Sequence, residues 1–143
     1  MAPSSAIDKA RLAWILSYSG YPEEAIPLLK KAMRLSPYYP AWFTGTLGLA
    51  YMATEDYEHA IAAHNQLLER KSLLQFAYSR LAGINAILGN EEKADEYAAE
   101  LLRVKPNFTV QRWANVLLYR YPDDLERELN ALRMAGLPEG GDG

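Results

Sequence analysis

The sequence predicts an all-α fold of about three helix pairs followed by two further helices. Three observations carry that reading: a period in the chain, helix-ending and helix-starting residues at its joints, and apolar residues at helical spacing. The period comes first. Three stretches align on an alanine after an acidic cluster: Tyr21-Pro22-Glu23-Glu24-Ala25-Ile26, Asp56-Tyr57-Glu58-His59-Ala60-Ile61 and Asn90-Glu91-Glu92-Lys93-Ala94-Asp95. The alanines lie 35 and then 34 residues apart, a spacing at which paired helices repeat in stacked arrays.

The joints follow from local chemistry. Gly20 and Gly89 suit the left-handed residue that ends a first helix. Pro22 fits the first turn of the next helix, where its missing N–H costs nothing. Asp56 and Asn90 suit N-caps, and the glutamates after them favour the positive end of the helix dipole. The second helices then carry Ala25, Leu28, Leu29 and Ala32; Ala60, Ile61, His64, Leu67 and Leu68; Ala94, Ala98, Leu101 and Leu102 at helical spacing. Ser36-Pro37 and Lys105-Pro106 close the first and third pairs, because a residue before proline avoids helical angles. Pro27, inside the second helix, is expected to remove one backbone hydrogen bond and kink or weaken it.

Past Asn107 the pattern stops. Thr109 to Tyr119 reads as a helix with Val110, Trp113, Ala114 and Leu117 on one face, and Asp123-Asp124 opens a last helix through Leu125, Leu129 and Leu132. Gly136 suits the residue after that helix, with Leu137 folding back onto Leu132 and Pro138 forbidding continuation.

These residues resemble the tetratricopeptide-repeat family. The middle pair matches best, with Leu47-Gly48, Tyr51 and Ala60 on the family pattern, while Thr44, His64 and Ser72 depart from it. The third has Tyr78, Leu81, Ala82, Ala94, Ala98 and Pro106; the first keeps Leu12, Ala13, Leu16, Ala25, Leu29, Ala32 and Pro37. The resemblance covers roughly residues 6–108 and implies a right-handed α-solenoid with two C-terminal capping helices. Repeats are expected at about 6–40, 41–74 and 75–108, with the cap at 109–138, all in a single domain. Residues 1–5 read as a leader or boundary segment and 139–143 as a disordered tail. Small residues at Gly48, Ala60, Ala82 and Ala94 are needed where adjacent helices approach to roughly 8–10 Å. A narrower resemblance lies in Arg112-Trp113, Tyr-Pro-Asp-Asp-Leu-Glu at 121–126 and Leu-Arg-Met-Ala-Gly-Leu-Pro-Glu at 132–139. That order looks like the repeat-bearing C-terminal region of bacterial proteins with a class III adenylate cyclase domain or a winged-helix regulator. It implies that this chain is the sensor or scaffold part of a larger bacterial signalling protein.

Composition narrows the function. The chain has 143 residues, no cysteine and a formal charge of −3. A disulfide framework, a thiolate metal site and a cysteine nucleophile are excluded. Nucleic acid and anionic membrane need clustered Lys and Arg, yet Lys30-Lys31 and Arg70-Lys71 are the only adjacent basic pairs. No apolar run approaches the roughly 20 residues of a membrane span, and Asp8, Lys9 and Arg11 stand where a secretory signal is apolar. A cytoplasmic protein is expected.

Catalytic chemistry finds little support. His59 and His64 lie five residues apart on one helix, diverging by roughly 140° and unable to share a metal. Glu23-Glu24, Glu91-Glu92 and Asp123-Asp124 all start helices, where capping and the dipole account for them. No phosphate loop, nucleophile elbow or zinc spacing occurs. No catalytic residue, metal or cofactor is expected.

The family resemblance implies a concave surface lined by the first helices. Trp14, Tyr18, Trp42, Leu49, Met52, Phe76 and Arg80 are the expected partner-binding residues, alongside Ile7, Ala10, Arg11, Gly45, Ser79 and Gly83. Trp, Tyr and Arg are enriched at binding hot spots, and Arg80 would anchor a carboxylate. Packing against neighbouring helices competes with this reading for each aromatic. The two-carboxylate clamp of one branch of the family is not matched, since the equivalent places hold Ala10, Trp14, Thr46, Phe76 and Arg80. A protein or peptide partner, apolar or an amphipathic helix, fits better. The alternatives are a homodimerisation module and a small-molecule sensor.

Overall fold

The computed structural model describes residues 4–141. Among the described residues there are eight helices and no strand, and the helices fall in two units that meet in sequence at Leu73 and Leu74. The first unit holds α1 (Ser4–Tyr18), α2 (Pro22–Leu35), α3 (Ala41–Ala53) and α4 (Tyr57–Glu69). Here α1 pairs with α2 and α3 with α4, and α3 also packs on both α1 and α2. The second unit holds α5 (Leu74–Ile87), α6 (Glu91–Val104), α7 (Val110–Ala114) and α8 (Pro122–Met134). Its α5 pairs with α6, while α8 lies along α5 and touches α7.

The residues that end these helices follow one scheme. After α1, α5 and α8 the left-handed position is glycine: Gly20 (φ 92°), Gly89 (φ 81°) and Gly136 (φ 83°). The following N–H then reaches back five residues: Tyr21 to the Leu16 carbonyl at 2.8 Å, Asn90 to Asn85 at 2.8 Å, Leu137 to Leu132 at 3.2 Å. This 6→1 bond satisfies a carbonyl that the helix end would leave bare. After α3 and α4 the same turn is made by Glu55 (φ 62°) and Lys71 (φ 53°), with bonds from Asp56 to Tyr51 and from Ser72 to Leu67. Helices α2 and α6 stop at Ser36 and Lys105, both non-helical at ψ 85° and 78° before a proline.

The helix starts agree with expectation in part. Asp56 caps α4, its carboxylate accepting from the His59 N–H at 3.3 Å. Asn90 stands at the N-cap of α6 but its side chain makes no capping bond; its amide donates to Asn85 Oδ1 at 3.3 Å instead. Pro27 does not break α2, which continues to Leu35. Lying one turn inside the helix, it deprives only the carbonyl of Glu23, an exposed residue that water can serve.

Close approach explains the small residues. A Cβ on Gly48 would stand 2.7 Å from both Cε1 and Nε2 of His64, which is fully buried in α4. The imidazole thus lies flat against the α3 backbone, where the family pattern has an aromatic. In the second unit Trp113 is the centre of the core, its ring 4.9 Å from Phe76 and 5.4 Å from Phe108.

Three expectations need correction. The helix foreseen over Thr109 to Tyr119 is only α7, Val110–Ala114. The chain leaves the helical path at Asn115, which lets Leu117 enter the core and the Tyr119 hydroxyl reach Glu128. The leader foreseen at 1–5 falls outside the described residues only for 1–3, since Ser4 and Ser5 already belong to α1. Of the tail foreseen at 139–143, residues 142–143 lie outside the described residues. Glu139 is held: its carbonyl accepts from the Gln111 N–H at 3.1 Å and its carboxylate meets Arg133 at 2.9 Å.

Candidate partner-binding surface

In the first unit α1 packs through small side chains. Ala6, Ala10, Ala13 and Ser17, spaced by three and four residues, form its buried stripe against Ala25, Leu29, Ala32, Phe43 and Ala50. Small side chains let α1 lie close to α2 and α3. Ile7 and Leu16 pack beside this stripe, while three other large residues face away: Leu12 is 49% exposed, Ile15 52% and Trp14 36%. With exposed Arg11 between them, these residues form a band over roughly 160° of the helix circumference at about 100° per residue. The Trp14 ring is held edge-on to Tyr18, with centroids 5.1 Å apart.

The sequence did not single out Leu12 and Ile15 for this surface. Leu12 matches a packing position of the repeat pattern, and the signal that reverses it is the alanine stripe, legible as Ala6, Ala10 and Ala13. Ala10, expected on the concave surface, belongs to that stripe and is fully buried. Trp42 is half-buried, packed edge-on against Phe43 at 4.7 Å, and Met52 is likewise half-buried. Leu49 and Tyr18 are buried, so Leu49 offers no side-chain surface and Tyr18 serves to support Trp14.

In the second unit the expected residues are already engaged. Arg80, foreseen as an anchor for a partner's carboxylate, is 3% exposed and has a carboxylate of its own. Its Nε donates to Glu128 Oε2 at 3.0 Å, and the Tyr119 hydroxyl donates to Glu128 Oε1 at 2.5 Å. The guanidinium also lies 5.2 Å from the centroid of Phe76, a cation–π contact. Phe76 itself packs on Trp113. Gly83 is closed off by Ala131, whose Cβ would be 3.0 Å from a Cβ placed there. The physical reason is α8: its Glu128 and Ala131 occupy the face of α5 that was expected to stay open.

His59, expected to be solvated, is exposed and pairs with Asp56 at 2.8 Å, its ring stacked on Tyr51 at 5.0 Å. That hydrogen bond holds the Asp56 carboxyl below its ordinary value. Among the described residues no helix is long and apolar enough to cross a membrane.

No curated protein matches the chain. The tetratricopeptide repeat family model matches residues 9–39 and 45–72, that is, most of α1 with α2 and most of α3 with α4. The alternation of helix pairs, the small residues at their crossings and this match agree. Over these two stretches of its first unit the chain is similar to the tetratricopeptide repeat.

Proposed function

We propose that this chain is a non-catalytic module that holds another protein, through the exposed band of α1 together with Trp42 and Met52. Tetratricopeptide repeats generally mediate protein–protein interaction. The observation that carries the assignment is the packing of α1, which buries Ala6, Ala10 and Ala13 and leaves Leu12, Trp14 and Ile15 exposed. Apolar residues in a contiguous band are uncommon on a surface that meets only water. The partner that fits is an apolar segment or an amphipathic helix, with Arg11, between Trp14 and Ile15 on the band, available to a carboxylate. The module acts in the cytoplasm within a larger bacterial signalling protein, a setting supported by the resemblance of residues 112–139 to such proteins.

Because the three apolar residues are exposed, their replacement tests binding without unfolding the chain. Trp14→Ala and the pair Leu12→Ser with Ile15→Ser are expected to weaken a captured partner by about 1–3 kcal/mol each, as hot-spot truncations do. Calorimetric titration with that partner gives the number, and thermal unfolding verifies the fold. Unchanged affinity in both variants would remove α1 from the interface.

Self-association through the same band is the second reading. Mass by light scattering separates the two: a doubled mass that returns to 16.1 kDa in the Leu12→Ser, Ile15→Ser variant would make the partner a second copy.

A further inference from the structure

Helix α8 is held in its unit chiefly by α5, on a seat whose chemistry is specific. Glu128 meets Arg80 at 3.0 Å, both side chains being almost fully enclosed. Ala131 lies over Gly83 so closely that a Cβ there would come within 3.0 Å. Leu129 and Leu132 enter the core around Trp113. A foreign helix taking this seat would leave Leu129 and Leu132 in water and a buried carboxylate displaced, whereas an identical helix would restore every contact. Only one kind of occupant therefore competes with the resident helix without loss: the same helix from another copy.

The connector before α8 has the matching property. Residues 115–121 form no helix, and within these seven residues Val116, Leu118 and Tyr121 are exposed, Leu118 at 58%. If α8 crosses to a second copy, the two connectors run past one another about a two-fold axis and these side chains cover each other. The segment after α8 would travel with it, since Pro138 and Glu139 bind the Val110 and Gln111 N–H groups of α7, on the other side of the connector. We propose that α8 is exchanged between two copies of this chain, each Glu128 pairing with the other copy's Arg80. This is independent of the α1 surface: loss of binding there leaves it untouched.

The chain has no cysteine, so a single engineered pair reports the seat directly. The Gly83→Cys, Ala131→Cys variant is refolded over a range of concentrations, oxidised, and run on a non-reducing gel. A covalent band at twice 16.1 kDa whose share rises with concentration is the expected result; a band at 16.1 kDa alone at every concentration would overturn the proposal. Charge reversal gives a second measurement that does not depend on disulfide geometry. Arg80→Glu and Glu128→Arg each oppose like charges within one copy. Refolded together they regain both ion pairs only by exchanging α8. A one-to-one heterodimer by native mass spectrometry is expected, while a mixture that yields none, under conditions where the wild-type chain refolds, counts against exchange.

Discussion

Arg80 and Glu128, 48 residues apart in sequence, form an ion pair with 3% and 2% of their side chains exposed. Enclosure makes the pair consequential to break and of little net worth to keep. Desolvating two charges offsets most of their attraction, but one left alone is an uncompensated buried charge. Arg80→Met and Glu128→Leu are each expected to lose about 3–5 kcal/mol, while the double variant stays near wild type. Urea unfolding of the three variants measures this, and additive losses would contradict it.

Gly48 and His64 test the close approach of α3 and α4. A methyl group at Gly48 meets the imidazole at 2.7 Å, and the ring is buried on all sides. Overpacking of this kind typically costs about 1–3 kcal/mol. Gly48→Ala is expected to lower stability by that amount, and combination with His64→Ala, which removes the obstructing ring, to cost less than the sum of the two single changes. Chemical denaturation of the cycle provides the coupling.

The five left-handed helix ends make opposite predictions according to residue. At Gly89 and Gly136 nothing lies within 4 Å of a Cβ, so alanine there is penalised by backbone conformation alone, by about 1–2 kcal/mol. At Glu55 and Lys71 the penalty is already present. Glu55→Gly and Lys71→Gly are expected to raise stability by several tenths of a kcal/mol to about 1, after glycine's greater freedom in the unfolded chain is subtracted. Thermal unfolding that moves the wrong way at Glu55 would refute this account of the turn.

Arg133 hydrogen-bonds to Glu139 and holds its carboxyl below the ordinary value of 4.5. A carboxylate with a depressed pKa contributes above its unfolded value and loses that contribution as pH falls through the folded one. Acidification from pH 7 to about 3 is therefore expected to loosen residues 138–139 and lower the exchange protection of the Val110 and Gln111 amides, which bond to their carbonyls. Glu139→Gln should show the lowered protection already at pH 7.

Periodicity made the six paired helices and their ends legible, because Gly20, Gly89, Ser36-Pro37 and Lys105-Pro106 act locally. Leu137 folding onto Leu132 was legible for the same reason. Long-range chemistry was not. Nothing beside Arg80 in sequence names Glu128 as its partner, and a lone arginine among aromatics has the composition of a hot spot whether it meets a foreign carboxylate or its own. The outward face of α1 was hidden differently. Its period is clear, but two stripes share it, and the alanines win the buried position because only they allow α2 and α3 to come close. The end of α7 at Ala114 has no local marker; the pull of Leu117 and Tyr119 toward the core and Glu128 decides it.

The 48-residue separation of Arg80 and Glu128 also sets an order of events during synthesis. In the first unit each helix packs on the one before it, α2 on α1, α3 on α2, α4 on α3. Its contacts therefore close as soon as each helix emerges, and short-range contacts form fast. In the second unit α5 keeps its Arg80 face uncovered until α8 has been made, so a ribosome carries Phe76 and Arg80 unsealed through some fifty further residues. The first unit should acquire structure early and the second only near the end. Trp14 and Trp42 lie in the first, Trp113 in the second, so single-tryptophan variants can time the two separately in the refolding chain.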